Sequence, residues 1–495
     1  MPATPALPHL TAETAWQPLP AEDWSASHAR HLLRRAGWSA QPAEVERALA
    51  DGLPATLQRL FPPSPPSWPA PAAVAETGRG LRETLREIRD LPEPERRRAR
   101  NRLQQQSRAA GQSLALDWLQ HARAPEHATF SKWVLFLDDV YVVSAQKVKQ
   151  PALIHAHDHI LRTHAFGPAQ ALTKAVSRSP AMIVYLDLQQ SKAKSPNENF
   201  ARELFELFVL GEGHYTENDI KEAARAFTGY RQAGGEFRFA RRQHDRGRKT
   251  VFGHTGAFDG DQVIDLAYAQ PAAATFLPTE LARFYLTEDP LPADWIATLG
   301  DAWLDDAFDL RALALRFFGS RAFFAPEFRG NAIKSPIQFY LGLLQDLDLD
   351  VLPAPRFTLN ALRAMGQLPF TPPNVRGWVG GRRWINSTTL AARRQTAAFL
   401  IEGLPHNRFN ADELRAMEAA RAAGHETFFL PPEALIELSE DSPSATVQNW
   451  ASRWLASPPP PDALAALAEL LADADRDETA TALTTLLQSP DYQLC

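Results

Sequence analysis

Apolar residues recur every three or four positions along most of this 495-residue chain, and few β-branched runs are long enough to pair into a sheet. That period lays side chains along one stripe of a helix, whereas a half-buried strand alternates at every second residue. The periodic segments are rich in Ala, Leu, Arg and Glu, which favour helix. A mainly α-helical protein is therefore expected, with core helices near 131–148, 152–178, 197–211 and 216–228 and more from Val263 to Leu344.

The pattern breaks between Glu236 and Gln262, where "EFRF" alternates and glycines mark turns, so a short β-hairpin or ordered loop is expected there. The stretch Pro62 to Ala73 and the proline run at 457–461 are expected as loops, because proline lacks the amide donor a helix needs. No repeat of fixed period is visible, and the prolines mark loops rather than domain boundaries. The expected organisation is a disordered tail over 1–22 followed by one large helical domain over 23–495.

Charge and cysteine content narrow the function classes. Lys and Arg number 52 against 58 Asp and Glu, a formal charge of -6, so no overall basic field gathers nucleic acid or anionic lipid. The single cysteine, Cys495, permits neither an intrachain disulfide nor a cysteine-built metal site. The N-terminal residues lack the basic and apolar regions of a signal peptide, which leads to an expectation of a cytoplasmic protein. The most apolar window, "WVLFLDDVYVV", is broken by Asp138 and Asp139 and is too short to cross a bilayer.

The most informative stretch is "SPNENFARELFELFVLGEGHYTENDIKEAARAFTGY", Ser195 to Tyr230. Ser195, Pro196 and Glu198 fit a capping box at a helix start, and Thr216 with Asp219 fits a second cap. Between them Phe200, Leu204, Leu207 and Phe208 share one helical face, while Asn199, Arg202, Glu203 and Glu206 share another. Two readings stand side by side. The polar stripe is an interhelical ion-pair network, with Lys221, Glu222 and Arg225 facing it; or Glu203 and Glu206, one turn apart, form a carboxylate pair that binds a metal or moves protons.

Other candidates lie in loops. His244 and Asp245 in "QHDRG" suit general base or ligand work, since an imidazole titrates near neutrality; a turn-stabilising hydrogen bond is the plainer reading. His155 and His159 are spaced for a zinc pair on one helix face, but no third ligand accompanies them. In "NVRGWVGGRRWINSTT" the glycines permit close backbone approach, Trp378 and Trp384 can stack on a ligand, and Asn386 can cap a helix. Arg376 adds a cation to this loop. No nucleophile elbow, phosphate-binding loop or dinucleotide fingerprint occurs in a supporting context.

The motifs "HLLRRAGW", "AMIVYLDLQQSKAKSPNENFARELFELFVLGEGHYTENDIKEAARAFTGY", "RQHDRGRKTVFGHTGAFDGDQVID", "KSPIQFYLGLL", "PPNVRGWVGGRRWINSTTLAARR" and "LLQSPDYQL" occur in order. Together, from about His31 onward, the chain resembles the bacterial family called domain of unknown function 1800. The resemblance implies no settled activity. It does imply an exported setting and a sulfatase-like partner of the alkaline-phosphatase type, and it places signature polar positions on Asn199, Arg202, Glu203, Glu206, His244, Asp245, Trp378, Trp384 and Asn386. Family members commonly carry a Trp-His-x-His-Phe run where this chain has "LDDVYVV", so Leu137, Asp138 and Val140 stand where Trp and the two His would be.

Two functions follow as expectations. One is a metal-assisted, hydrolase-like enzyme: Glu203, Glu206, His244 and Asp245 act as catalytic groups, and a divalent metal ion is held by Asp138, Glu203 and His244. Substrate would lie against Asn199, Arg202, Arg376, Trp378, Trp384 and Asn386. The other is a non-catalytic helical binding or assembly protein with a degenerate site, acting with the sulfatase-like partner.

Overall fold

A computed structural model of the chain describes residues 10–78, 81–438, 442–457, 459–472 and 475–495. Proline sets the helix starts: Pro42, Pro125, Pro151, Pro180, Pro271, Pro336, Pro355 and Pro443 each occupy the first turn of a helix. Its fixed φ suits that position and its missing amide would be unbonded there anyway. Twenty-five α-helices form among the described residues, with two small antiparallel hairpins between them, so the protein is mainly α. The central Pro125–Val140 helix is buried on nearly every face. Trp133 on it is fully buried, in contact with the rings of Phe61, Phe136, Tyr285 and Phe318, which come from four separate segments.

The core is stitched by buried cations. Arg35 donates to the carbonyls of Tyr285, Leu286, Phe328 and Cys495 and to Asn331 Oδ1. Lys132 Nζ donates to the carbonyls of Arg35 and Gly37, and burial pulls its pKa down to about 7. One apolar core extends from Ala15 to Tyr492, and a smaller one gathers around Phe409, Met417 and Phe428.

Two expectations change. The tail expected over 1–22 lies outside the described residues up to residue 9, and from Leu10 onward it is packed. Trp16 is buried and its Nε1 donates to the Trp295 carbonyl at 2.7 Å, while Leu19 N bonds the Gly319 carbonyl. The hairpin expected over 236–262 begins earlier and is double. β1 (Tyr230–Ala233) pairs with β2 (Glu236–Phe239), and β3 (Lys249–Val251) pairs with β4 (His254–Gly256). Gly234 and Gly235 both have positive φ, 69° and 85°, which a two-residue turn matched to strand twist requires. From Gly260 the chain is helical again, capped by Asp259.

Candidate functional site

The helix carrying the acidic stripe starts later than its sequence suggests. The backbone of Ser195 pairs with Lys192, and the helix begins only at Asn199, whose amide Asn197 Oδ1 accepts at 2.9 Å; the Ser195–Glu198 capping box does not form. Asn199–Glu203 is α-helical, after which Leu204–Val209 is a π-helix, with the amides of Leu210 and Gly211 both reaching back to the Phe205 carbonyl. The widened turn buries Leu204, Phe205, Phe208 and Val209 and leaves Glu203 and Glu206 half-buried on the other side. Thr216 caps the next helix with Asp219, as its spacing predicts.

Glu206 is the anchored member of the pair. Its Oε1 accepts from Arg376 at 2.6 Å and its Oε2 from the Tyr215 hydroxyl at 2.8 Å. Arg376 also reaches Glu212 at 2.7 Å, so a loop 170 positions away in sequence is fastened to the π-helix. Arg202 turns outward to a bidentate pair with Glu217, both bonds at 2.8 Å.

Glu203 differs: no hydrogen bond to its carboxyl forms among the described residues. Burial first and the Glu206 charge second raise its pKa, against the pull of Arg376 and Arg202. The Tyr185 phenol is raised by burial and then by the charges of Glu203 and Asp138, which places all three groups in one electrostatic neighbourhood.

Asp138 and Asp139 end the central helix. Asp138 is buried without a hydrogen bond among the described residues. Burial, then Asp158 and Asp139, push its pKa well above the carboxylate range. It opens with Asp158, Trp118 and Phe370 onto a cavity of about 10 Å³, room for one water. Asp139 Oδ1 accepts the Trp378 amide at 2.8 Å and is pushed up to about 7, chiefly by burial.

His244 and Asp245 belong elsewhere. His244 Nδ1 bonds the Thr228 carbonyl at 3.0 Å and its ring meets Phe239. Asp245 accepts from Arg225 Nε and Gly247 N, both at 2.8 Å, and the Arg225 bond holds its carboxyl below the usual range. Arg225 bonds Glu222 as well, so this pair of residues faces the hairpin rather than the acidic helix. None of these partners is shared with Glu203 or Glu206.

The remaining candidates are buried or make internal contacts. Trp378 and Trp384 are core residues, 4% and 5% exposed, and present no face for a ligand to stack on. Asn386 caps the Ser387–Glu402 helix through the amides of Thr388 and Thr389. Asn199 Nδ2 is turned to the Leu186 carbonyl. His155 bonds the Trp68 carbonyl, which occupies one edge of the zinc pair suggested with His159. His157 is fully buried between Ser179 and the Tyr141 carbonyl, its pKa lowered to about 4 by burial.

Among the described residues no group of three or more His, Cys, Asp or Glu side chains is placed to hold a metal ion, so the expected set of Asp138, Glu203 and His244 is not gathered. No helix there is long and apolar enough to cross a membrane. Contacts and charges link Glu203, Glu206 and Arg376, and among the described residues no hydrogen bond or ion pair joins that group to His244, Asp245, Trp384 or Asn386. The structure adds three residues the sequence reading missed. Tyr215 sits inside the quoted stretch, Asp139 was visible as a charge in an apolar window, and nothing local singles out Tyr185.

Residues 31–494 match the family described as "Protein of unknown function (DUF1800)". No curated protein matches the chain, and no solved structure does.

Proposed function

Since the chain belongs to the DUF1800 family, whose description assigns no role, we propose from its residues that it is a non-catalytic helical binding and assembly protein. Its recognition face is the acidic ledge around the π-helix. The observation that carries this reading is the pairing of the polar groups: Glu206, Asp245, His244, Arg376 and Asn386 are each held by an internal partner. Groups committed to such bonds set geometry, and a catalytic group must instead meet its substrate.

The ledge gathers Glu198, Glu203, Glu206, Glu212 and Glu217 against Arg202 and Arg376, a surplus of negative charge on a partly exposed surface. It suits a partner with a basic face, and the sulfatase-like protein of the alkaline-phosphatase type is the partner we put forward. The test is sedimentation of the mixed proteins at low and high salt. The expected result is a complex weakened by salt and by Glu212→Lys with Glu217→Lys. No complex at either salt concentration overturns the assignment.

A second, hydrolase-like reading rests on Glu203 alone, a half-buried carboxyl with raised pKa beside Tyr185 and free of hydrogen bonds among the described residues. Turnover of p-nitrophenyl esters, phosphates or sulfates by the native chain, lost in Glu203→Gln with the fold intact, decides for it over the binding reading.

A further inference from the structure

The second apolar cluster contains a site that the acidic ledge does not use. Phe409, Met417 and Phe428 are buried there, at 8%, 3% and 2% exposure, and form the floor of a cavity of about 170 Å³. Leu404 and Phe429 make its walls. The rings behind it are interlocked: Phe409 lies 5.2 Å from Phe357, and Phe429 lies 5.3 Å from Phe399. The wall is braced by Arg356, which joins the buried Glu413 carboxylate to the Arg408 carbonyl. An enclosed apolar cavity of about 150 Å³ accommodates a benzene ring; this one is open to solvent on one side and is lined also by His406, Arg421 and Glu426, and its volume leaves room for a single aromatic ring.

The rim carries the second observation. Arg421 and Glu426 both line the cavity and both are exposed. Arg421 lies 5.7 Å over the Phe428 ring. Neither side chain makes a hydrogen bond or ion pair among the described residues, not even with the other. Arg356 and Glu413, which border the same cluster, are by contrast paired with each other. A guanidinium and a carboxylate without hydrogen-bond partners among the described residues, at the mouth of one cavity with an aromatic floor, match a molecule with a carboxylate, an ammonium and an apolar ring.

We propose that this cavity binds a free aromatic α-amino acid: the ring enters against Met417 and Phe428, Arg421 takes the α-carboxylate, and Glu426 takes the α-ammonium. The charged contacts supply orientation and the aromatic cavity supplies most of the affinity, as in small-molecule sites generally.

The test is calorimetric titration of the full chain with L-phenylalanine, phenylacetate and phenethylamine. L-phenylalanine is expected to bind saturably, and each analogue, lacking one charge, to bind roughly 10-fold to 100-fold more weakly. Arg421→Met is expected to weaken L-phenylalanine by a similar factor and to leave phenethylamine unchanged; Glu426→Gln does the converse with phenylacetate. Both positions are on the surface, so the fold is retained, which circular dichroism checks. Met417→Trp fills the cavity and is expected to abolish binding of all three. Absence of saturable L-phenylalanine binding overturns the proposal, as does equal binding of the three ligands or indifference to Arg421→Met.

Discussion

Replacing Asp139 by asparagine removes a carboxylate that the fold charges at a cost. In the native chain burial lifts its pKa from 3.8 to about 7, with the Trp378 amide and Arg283 pulling the other way and Glu280 adding to the rise. A carboxyl whose folded pKa exceeds its unfolded pKa contributes stability that is intact below the unfolded value and is lost as pH rises through the folded one. The window is therefore about pH 4 to pH 7, some three pH units, and the loss is about 1.4 kcal/mol per unit, or ~4 kcal/mol across it.

Asparagine keeps the volume, and its Oδ1 can still accept the Trp378 amide at the 2.8 Å contact. The variant does not titrate, so its stability relative to the native chain should grow by about 3 kcal/mol between pH 5 and pH 8. Asp138 works in the same direction, since the Asp139 charge raises its pKa too. The assay is urea unfolding followed by tryptophan fluorescence at several pH values. A gap between variant and native chain that stays constant within about 1 kcal/mol over that range refutes the argument that burial governs Asp139.

Three further perturbations are expected to behave differently from one another. Gly377→Ala should destabilise by about 3 kcal/mol or more, because its φ is +79° and a Cβ there would collide with the Asp139 carboxylate; Gly213→Ala, at φ +85° with open space around it, should cost only about 1 kcal/mol, and similar urea midpoints for the two would refute the clash. Arg35→Leu strands four buried carbonyls and the Asn331 amide oxygen, so a loss of at least about 3 kcal/mol is expected by denaturant unfolding, and a loss under about 1 kcal/mol would show that Arg35 is replaceable. Arg202→Ala breaks the bidentate pair with Glu217, yet that pair sits in water, so thermal unfolding should show no measurable change in midpoint, and a clear drop that salt abolishes would contradict this.

Local chemistry made much of this fold legible. The helical period identified a mainly α chain, the Thr216 and Asn386 caps were readable from spacing, and the interruption at 236–262 marked the hairpin region. Such features are decided within a turn or two of backbone, where the interacting groups are neighbours in sequence. The π-helix at Leu204–Val209 was not legible, since its composition is that of an ordinary amphipathic helix and the extra residue per turn answers to packing. Proline marks both loops and first helical turns, so the helix starts at Pro125, Pro151 or Pro336 are not told from loops by proline alone.

Tertiary structure alone decided which polar groups meet. Ser195 has the spacing of a cap, yet its backbone pairs with Lys192 and the helix starts four residues later, at Asn199. His244 and the acidic pair read as one constellation, and the fold gives them separate partners. Arg376 meets Glu206 across 170 positions, and Trp378 meets Asp139 across 239. Composition and period determined that this chain forms helices and which of their faces turn inward. Whether a carboxylate among them becomes a lock, a buried acid or an open group depends on what packing brings within about 3 Å of it, and no spacing along the chain encodes that distance.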